Sequence, residues 1–365
     1  MELVILLIKV LIIFHVGLGL SAICTWIERK GSALIQDRIG ANRAGSYFQT
    51  DILLLKPVFL VIRILGILGL VNTLVCDAVK AIFKEDFIPE GTSNFVHSLG
   101  PFMAVLPVFL AFAVIPVAPD FTLFGYDIKM QIADINAGIL FIFAMGSITV
   151  YGVAIAGWCG NNKFSLLGGL RASAQMISYE LAMGVSLVCM ILIYQSMDIY
   201  QMIESQSGSL LNWGIFQYYG FSFIAFIILF IVGMAETHRG PFDLPEAESE
   251  LAAGYFTEYS GMKFLLFWMG EFAEIALFSI ILVVLFLGGW NVPFYNSEAG
   301  TILNSILGHI IFMGKVLFLC VLQIVIRWTL PRFRYDQLMS LGWKILLPVS
   351  MVNLVIISAL VLLKN

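Results

Sequence analysis

The run FLLFWMGEFAEIALFSIILVVLFLGGW, residues 264–290, is 27 residues long and contains two charged residues, Glu271 and Glu274. A bilayer core about 30 Å thick is crossed by roughly 20 apolar helical residues. A helix also satisfies the backbone groups that lipid leaves without hydrogen bonds. The run therefore predicts a transmembrane helix that carries two carboxyl groups into the membrane, both on one face because they are three residues apart.

The rest of the chain has the same apolar character. Of its 365 residues 60% are hydrophobic and 12% are charged, whereas a soluble domain has about 25% charged residues. These values exclude an ordinary soluble domain, and the net charge of −4 argues against a nucleic-acid-binding surface. We predict an all-α polytopic membrane protein with about eight transmembrane helices plus interfacial amphipathic helices. The predicted spans are Leu3–Ile27, Ser98–Ala118, Ile135–Trp158, Ala172–Ser196, Trp213–Ala235, Phe264–Trp290, Thr301–Trp328 and Leu341–Leu363.

Basic residues are distributed unevenly between the loops. The loops after spans one, three, five and seven, with their edges, hold 16 of the 20 Lys and Arg residues. Because cytoplasmic loops are rich in Lys and Arg, these loops are predicted to be cytoplasmic and the N-terminus to lie outside. We treat residues 1–365 as a single membrane domain. Within it, residues 28–97 form a first cytoplasmic loop with interfacial helices and residues 236–263 form an acidic cytoplasmic loop.

The segment Ile52–Cys76 allows two interpretations. It is apolar over 25 residues but contains Lys56, Pro57 and Arg63. A cation in the middle of a span is costly, so we favour a helix at the membrane interface over a ninth span.

Acidic residues are concentrated around the fifth and sixth spans. The segment Glu236–Glu274 contains eight of the 24 acidic residues. Closely spaced carboxylates in a low-dielectric setting exchange protons with one another and with their surroundings. A solvated acidic loop and a docking surface for a basic partner are the alternatives.

Charged residues also fall inside other predicted spans. Glu180 lies in span four and Lys315 near the middle of span seven. Intramembrane charges indicate a functional site unless they form a structural ion pair. We therefore predict a polar route through the bundle, with an ion pair between Lys315 and Glu271 or Glu274 as the alternative.

Redox and metal centres are not indicated in this chain. Its five cysteines are scattered singly without C-x-x-C spacing, and its four histidines are far apart. No phosphate-binding loop motif is present. Any iron–sulfur cluster or nucleotide site is therefore expected in other chains.

Five segments of the chain, in order, resemble the H-subunit family of proton-translocating NADH:quinone oxidoreductase, respiratory complex I, whose mitochondrial member is NADH dehydrogenase subunit 1. The segments are ERKGSALIQDRIGANRAG (28–45), DAVKAIFKED (77–86), NNKFSLLGGLRASAQMISYELAMG (161–184), AETHRGPFDLPEAESELAAGYFTEYSGMKF (235–264) and RWTLPRFRYDQLMSLGWK (327–344).

The resemblance implies a membrane subunit that forms much of a quinone-binding chamber and couples quinone reduction to proton translocation. Quinone is the expected bound substrate, and iron–sulfur clusters and flavin are expected in peripheral partner subunits. By family motif, the implied quinone-site residues are Glu28, Arg29, Arg38, Asp77, Arg239 and Asp243, with Glu85 near them. The implied proton-path residues are Glu180, Glu246, Glu248, Glu250, Glu258, Glu271 and Glu274, to which we add Lys315 as an intramembrane charge.

Two departures from the family pattern concern the expected chamber entrance. Ala41 stands where the family commonly has proline, and an apolar insertion lies near Ile52–Leu70. The contacts of the family with the quinone tail are therefore not transferred to this region.

Other functions remain open at this point. One is the homologous membrane subunit of an energy-converting hydrogenase or formate hydrogenlyase, which would use no quinone. Another is a free-standing proton-coupled transporter, although inverted repeats and broken mid-membrane helices are not evident. A third is a passive membrane anchor. We expect the inner membrane of a bacterium rather than that of a mitochondrion, with other membrane subunits and peripheral subunits as partners.

Overall fold

The computed structural model describes residues 2–42, 56–123, 126–245, 248–293 and 301–364. Within these residues, eight helices are long and apolar enough to cross a membrane. They are Lys9–Ile35, Asn94–Phe112, Gly138–Cys159, Lys163–Tyr194, Tyr218–Glu236, Gly261–Phe286, Ile302–Thr329 and Tyr335–Lys364. Each overlaps one predicted span, so the prediction of an all-α polytopic membrane protein is confirmed.

The secondary structure is almost entirely helical in the described residues. The α-helices are α1 (Glu2–Ile35), α2 (Lys56–Ile67), α3 (Asp77–Phe83), α4 (Asn94–Phe112), α5 (Gly138–Cys159), α6 (Lys163–Tyr194), α7 (Ile199–Ser205), α8 (Phe221–Glu236), α9 (Glu248–Leu251), α10 (Gly261–Phe286), α11 (Ile302–Thr329), α12 (Tyr335–Ser340) and α13 (Leu347–Lys364). Two π-helical turns, Asn72–Cys76 and Leu341–Leu346, join α2 to α3 and α12 to α13. After α4, strands β1 (Phe121–Leu123) and β2 (Tyr126–Ile128) pair antiparallel, with Phe121 opposite Ile128.

The segment predicted to lie at the interface contains α2 and the turn that follows it. Helix α2 has 12 residues, a length of about 18 Å at roughly 1.5 Å per residue, which is too short to cross the apolar core. Residues 52–55 lie outside the described residues. The described part of this segment therefore forms no ninth span, and its position at the interface stays a prediction.

Helix α10 is the central helix of the bundle. Over an apolar stretch of 18 residues, 83% of the residues of this helix are buried inside the protein. The corresponding value is 22% for the span that ends with α13. Helix α10 packs against α1, α4, α8 and α11. Acidic residues on α10 are therefore surrounded by other helices rather than by lipid.

Helices α4, α5 and α6 approach each other closely at glycines. A Cβ atom built on Gly152 of α5 would lie 2.4 Å from the backbone nitrogen of Ala104 in α4. A Cβ on Gly157 would lie 2.7 Å from the Cα of Gly169 in α6. Small residues allow such close backbone contact between membrane helices, where packing rather than the hydrophobic effect drives association.

The end of α10 is bound by a lysine from α11. The Lys315 ammonium group donates to the carbonyl oxygens of Leu287, Gly289 and Asn291 at 2.6, 2.9 and 2.8 Å. Gly288 and Gly289 have φ angles of 70° and 56°, which brings these carbonyls to one point. An ammonium group has three N–H donors, so Lys315 makes its full number of hydrogen bonds here. The suggested ion pair between Lys315 and Glu271 or Glu274 was wrong.

Substitution of Gly152 tests the packing of α4 against α5. We expect Gly152→Ala to lower stability by about 1–3 kcal/mol, the usual cost of overpacking a close contact. The measurement is the thermal unfolding midpoint of the purified protein in detergent. Gly146→Ala is the matched control, because a Cβ at Gly146 in the same helix meets no atom within 4 Å. Equal shifts in both variants would contradict this account.

Replacement of Lys315 tests its role at the end of α10. We expect Lys315→Met to destabilise the protein, because three carbonyl groups lose a charged donor and a hydrogen bond to a charged group contributes about 1.5–3 kcal/mol. Thermal unfolding measures the change, with Lys364→Met at the exposed end of α13 as control. An unchanged midpoint for Lys315→Met would show that the three hydrogen bonds contribute little.

Candidate functional site

A buried loop between α8 and α9 carries the central charge of the candidate site. Residues 237–239 and 241–245 are buried, and the loop contains the cis Gly240–Pro241 peptide bond. The Arg239 side chain is 8% exposed. A guanidinium group at this depth requires anionic partners to offset its loss of hydration.

Two carboxylates from different helices bind the Arg239 guanidinium. Its Nη1 atom lies 3.4 Å from Glu28 Oε2 in α1, and its Nη2 atom lies 3.4 Å from Glu271 Oε2 in α10. Glu28 also forms an ion pair with Arg327 of α11. We call Glu28, Arg239, Glu271 and Arg327 the Arg239 network; it joins three spans and one loop.

Neighbouring side chains support the Arg239 network. The Tyr255 hydroxyl donates to Glu271 Oε1 at 2.8 Å. The Arg239 guanidinium carbon lies 4.1 Å from the centre of the Phe272 ring, a cation–π contact. Burial is the main cause that lowers the pKa of His238 to about 4; the Arg239 charge adds to it, and a hydrogen bond with the Ala172 backbone opposes it. His238 is therefore neutral at pH 7 and adds no second positive charge.

A groove lies beside the Arg239 network, between α1, the Asn72–Cys76 turn with α3, and α10. Its volume is about 210 Å³, and its lining is mostly apolar. Asp77 faces it and forms an ion pair with Arg29. The Arg29 guanidinium carbon also lies 4.9 Å from the centre of the Trp268 ring. The groove therefore has an apolar wall with one paired charge at its edge.

Three other predicted acidic residues pair with polar side chains outside the Arg239 network. Arg332 binds Asp243 at 2.9 Å, and Arg171 binds Glu250 at 2.9 Å. The Glu258 carboxylate accepts a hydrogen bond from Asn162 at 2.7 Å. The Glu250 side chain is 62% exposed, so its ion pair contributes little to stability.

Three acidic residues lie deeper in the bundle. Glu180 of α6 accepts a hydrogen bond from the Ser147 hydroxyl of α5. Glu236, at the end of α8, and Glu274 of α10 line a common cavity. Glu180 therefore links α6 to α5, and Glu236 and Glu274 place two carboxyl groups in one cavity between the helices.

The remaining predicted site residues lie elsewhere. Arg38 is exposed and donates to the nearby Gln36 at 2.7 Å. Lys315 binds the carbonyls after α10, away from the Arg239 network. Glu246 lies outside the described residues. Glu248 begins α9, and its side chain also lies outside the described part.

Several residues of the site were not predicted. The sequence assigns no role to Arg327 or Tyr255, yet both contact the carboxylates of the Arg239 network. Glu236 was counted in the acidic segment without a role because it directly follows the predicted span Trp213–Ala235. The sequence does contain a signal: the apolar residues of α8 continue without a break up to Glu236, which places this carboxyl group at the end of the span.

Metal coordination is not indicated by the described residues. No three His, Cys, Asp or Glu side chains among them are placed to hold a metal ion. The arrangement instead offers buried carboxylates, one central guanidinium and an apolar groove, which suit an uncharged organic ligand and proton exchange.

Comparison with known proteins shows similarity along almost the whole chain. A family model described as NADH dehydrogenase matches residues 8–358. The chain is 39% identical over 356 residues to the NADH-quinone oxidoreductase H subunit of Flavobacterium johnsoniae, covering 97% of this chain and 94% of the relative. It is 40% identical over 364 residues to the NADH-quinone oxidoreductase H subunit 1 of Geobacter metallireducens, covering 100% and 98%.

A relative from Cytophaga hutchinsonii, its NADH-quinone oxidoreductase H subunit 1, is 40% identical over 354 residues, which cover 96% of this chain and 95% of the relative. The coverage leaves no large segment of this chain unmatched. The chain belongs to the NADH dehydrogenase family that includes the H subunits of NADH-quinone oxidoreductase.

Proposed function

We propose that this chain is a membrane subunit of a proton-translocating NADH:quinone oxidoreductase that forms much of the quinone-binding chamber and couples quinone reduction to proton translocation. The observation that carries this proposal is the Arg239 network. One guanidinium group binds Glu28 beside the groove and Glu271 inside the central span. A charge that appears in the groove near Glu28 would therefore act on the Glu271 carboxylate through the Arg239 side chain.

The groove between α1, α3 and α10 is proposed as the entrance for quinone from the membrane. Its volume of about 210 Å³ is smaller than a site for a whole drug-sized molecule, roughly 300–1,000 Å³, and suits the passage of a narrow chain. Its apolar lining suits an isoprenoid tail, and the Arg29–Asp77 pair suits the polar head group. Glu28, Arg29, Asp77, Arg239 and Asp243 are the proposed quinone-site residues, with Arg38 further out on the loop.

The proposed coupling is electrostatic. Quinone reduction consumes two protons, and the reduced quinone carries negative charge until they arrive. At an effective dielectric of about 20, two unit charges about 4 Å apart interact by about 4 kcal/mol. Moving one charge against about 100 mV costs about 2.3 kcal/mol. At that distance, a charge on the reduced quinone would interact with the Arg239 network strongly enough to offset the cost of moving one proton.

The proton path is proposed to run from the Arg239 network into the bundle. Glu271, Glu274 and Glu180 are its intramembrane members, and the acidic loop with Glu246, Glu248, Glu250 and Glu258 borders it. Lys315 lies beyond this path at the far end of α10, and its predicted part in proton transfer stays a prediction.

The redox centres of the complex are assigned to other chains. Peripheral subunits are proposed to hold the flavin and the iron–sulfur clusters, and other membrane subunits to continue the proton path. We also propose that residues 28–97 and 236–263 face the cytoplasm of a bacterium, with the N-terminus outside the inner membrane.

Neutralising Glu271 tests the coupling role of the Arg239 network. We expect Glu271→Gln to lower both quinone reduction and proton pumping by about tenfold, a change of about 1.4 kcal/mol in activation free energy. The amide keeps the size of the side chain and accepts from Tyr255, and Arg239 keeps Glu28 as an anionic partner. Both rates are measured in proteoliposomes of the purified complex.

The control for this experiment is Glu204→Gln, which removes an exposed carboxylate at the other end of the bundle. The thermal midpoint of the complex shows whether assembly is intact. An assembled Glu271→Gln complex with wild-type reduction and pumping would refute the proposed coupling.

Blocking the groove tests the proposed entrance. Ala22 lines it, whereas Gly19, one turn earlier in α1, lines a different apolar groove against α11. We expect Ala22→Phe to raise the KM for a long-tailed quinone severalfold, because the ring occupies the groove. Gly19→Phe is the matched control and should leave this KM unchanged. The rate of NADH oxidation with a water-soluble electron acceptor shows whether the peripheral subunits remain active. If Gly19→Phe raised the KM for quinone more than Ala22→Phe did, the entrance would lie between α1 and α11 instead.

A further inference from the structure

Two cavities inside the bundle contain the intramembrane acidic residues. The larger, here the Glu236 cavity, is lined by Glu236, Glu274, Thr149 and apolar residues of α4, α5, α6, α8 and α10. About 50 Å³ of it is open to water-sized molecules. A water molecule needs roughly 10–15 Å³ by this measure, so the cavity has room for about four.

The smaller cavity lies on the side of the Arg239 network. It is lined by Glu271, Tyr255 and His238 among others, with an empty volume of about 280 Å³. About 10 Å³ is open to water-sized molecules, roughly the space for one. We call it the Glu271 cavity. The two cavities are separate volumes that share part of their lining.

Two side chains line both cavities and form the partition between them. They are Thr149 of α5 and Glu274 of α10. The Thr149 hydroxyl donates to the Gly146 carbonyl at 2.7 Å, which leaves its oxygen able to accept a hydrogen bond. Glu274 follows Glu271 by three residues and therefore lies on the same face of α10.

The Glu236 carboxyl is directed into the larger cavity without a protein partner. Glu236 is 3% exposed, and neither carboxyl oxygen has a hydrogen-bond partner among the described residues. Glu274 is its strongest electrostatic neighbour, ahead of Glu180. A buried polar group without a protein partner is normally satisfied by water. The cavity has the room for that water, which would connect Glu236 to Glu274.

We propose that Glu274 is the residue that transfers protons between the Glu271 cavity and the Glu236 cavity, by turning its carboxyl group from one to the other across the Thr149 partition. The transfer rests on the proposed function and gives it a specific intermediate step. Glu274 accepts a proton on one side as a carboxylate and releases it on the other, so no other reactant is consumed. Two carboxylates in one apolar cavity repel each other, which favours one shared proton between Glu236 and Glu274.

The space next to Gly146 keeps the Glu236 cavity open. Gly146 lines this cavity, and a Cβ atom built on it meets nothing within 4 Å. A larger side chain at this position would occupy the room for water while every acidic residue stays in place. The water in the cavity can therefore be tested separately from the carboxyl groups.

The first experiment changes Glu274 in the assembled complex. Glu274→Gln keeps the size of the side chain but cannot carry a proton, whereas Glu274→Asp keeps the carboxyl group and shortens its reach. We expect the number of protons pumped per NADH to fall at least twofold in Glu274→Gln and by less in Glu274→Asp, with an unchanged KM for quinone. Proteoliposomes and a pH-sensitive dye measure this ratio.

The second experiment fills the cavity. Gly146→Leu should lower the same ratio at least twofold, and Gly146→Ala is used if leucine impairs assembly. Gly314→Leu is the matched control, because Gly314 is an exposed position of α11 that also has open space around its Cβ. We expect the control to pump as the wild type does.

The outcomes separate this inference from the proposed function. A wild-type complex that neither reduces quinone nor pumps protons would overturn the proposed function. A wild-type complex that does both, together with wild-type pumping ratios in Glu274→Gln and in the Gly146 variant, would overturn the role of Glu274 alone. A KM for quinone that rises in Glu274→Gln would place this residue in the quinone site instead.

Discussion

The placement of Arg239 between two carboxylates is the interaction on which the site depends. A guanidinium group that is 8% exposed loses most of its hydration, and this loss costs several kcal/mol unless opposite charges replace the water. Glu28 and Glu271 supply those charges from helices that are far apart in sequence. The buried loop, α1 and α10 are therefore held in one arrangement, since moving any of them would leave a buried charge unbalanced.

Close helix packing makes this arrangement rigid. Gly152, Gly157 and Gly169 let the backbones of α4, α5 and α6 come nearly into contact. At the other end of α10, Lys315 binds three carbonyl oxygens after the last turn. Helix α10 is thus fixed at its far end by a cation and near the Arg239 network by ion pairs, so its acidic residues between these points have little freedom except in their side chains.

Hydropathy predicted the membrane fold because it is a property of each segment alone. All eight spans are present, since about 20 apolar residues in a row have few alternatives to a transmembrane helix. The partners of the charged residues depend on which distant segments pack together, so hydropathy could not predict them. Lys315 was considered a partner for Glu271 or Glu274, yet it binds backbone carbonyls, because the Gly288–Gly289 turn directs them toward it. The roles of Arg327 and Tyr255 were missed for the same reason: their contacts with Glu28 and Glu271 join distant segments.

The separation of the two cavities is itself a requirement for coupling. If one continuous column of water joined the Arg239 network to the interior of the bundle, protons would move whether or not quinone was reduced. A partition that contains one carboxyl side chain passes a proton only when that side chain moves from one cavity to the other. The protonation of Glu274 would then depend on Glu271 in one cavity and on Glu236 in the other. In the proposed transfer, a change of charge at the Arg239 network alters the energy of Glu274 when its carboxyl group faces the Glu271 cavity. In the proposed mechanism, the same residues therefore prevent a free flow of protons and make proton transfer depend on events at the groove.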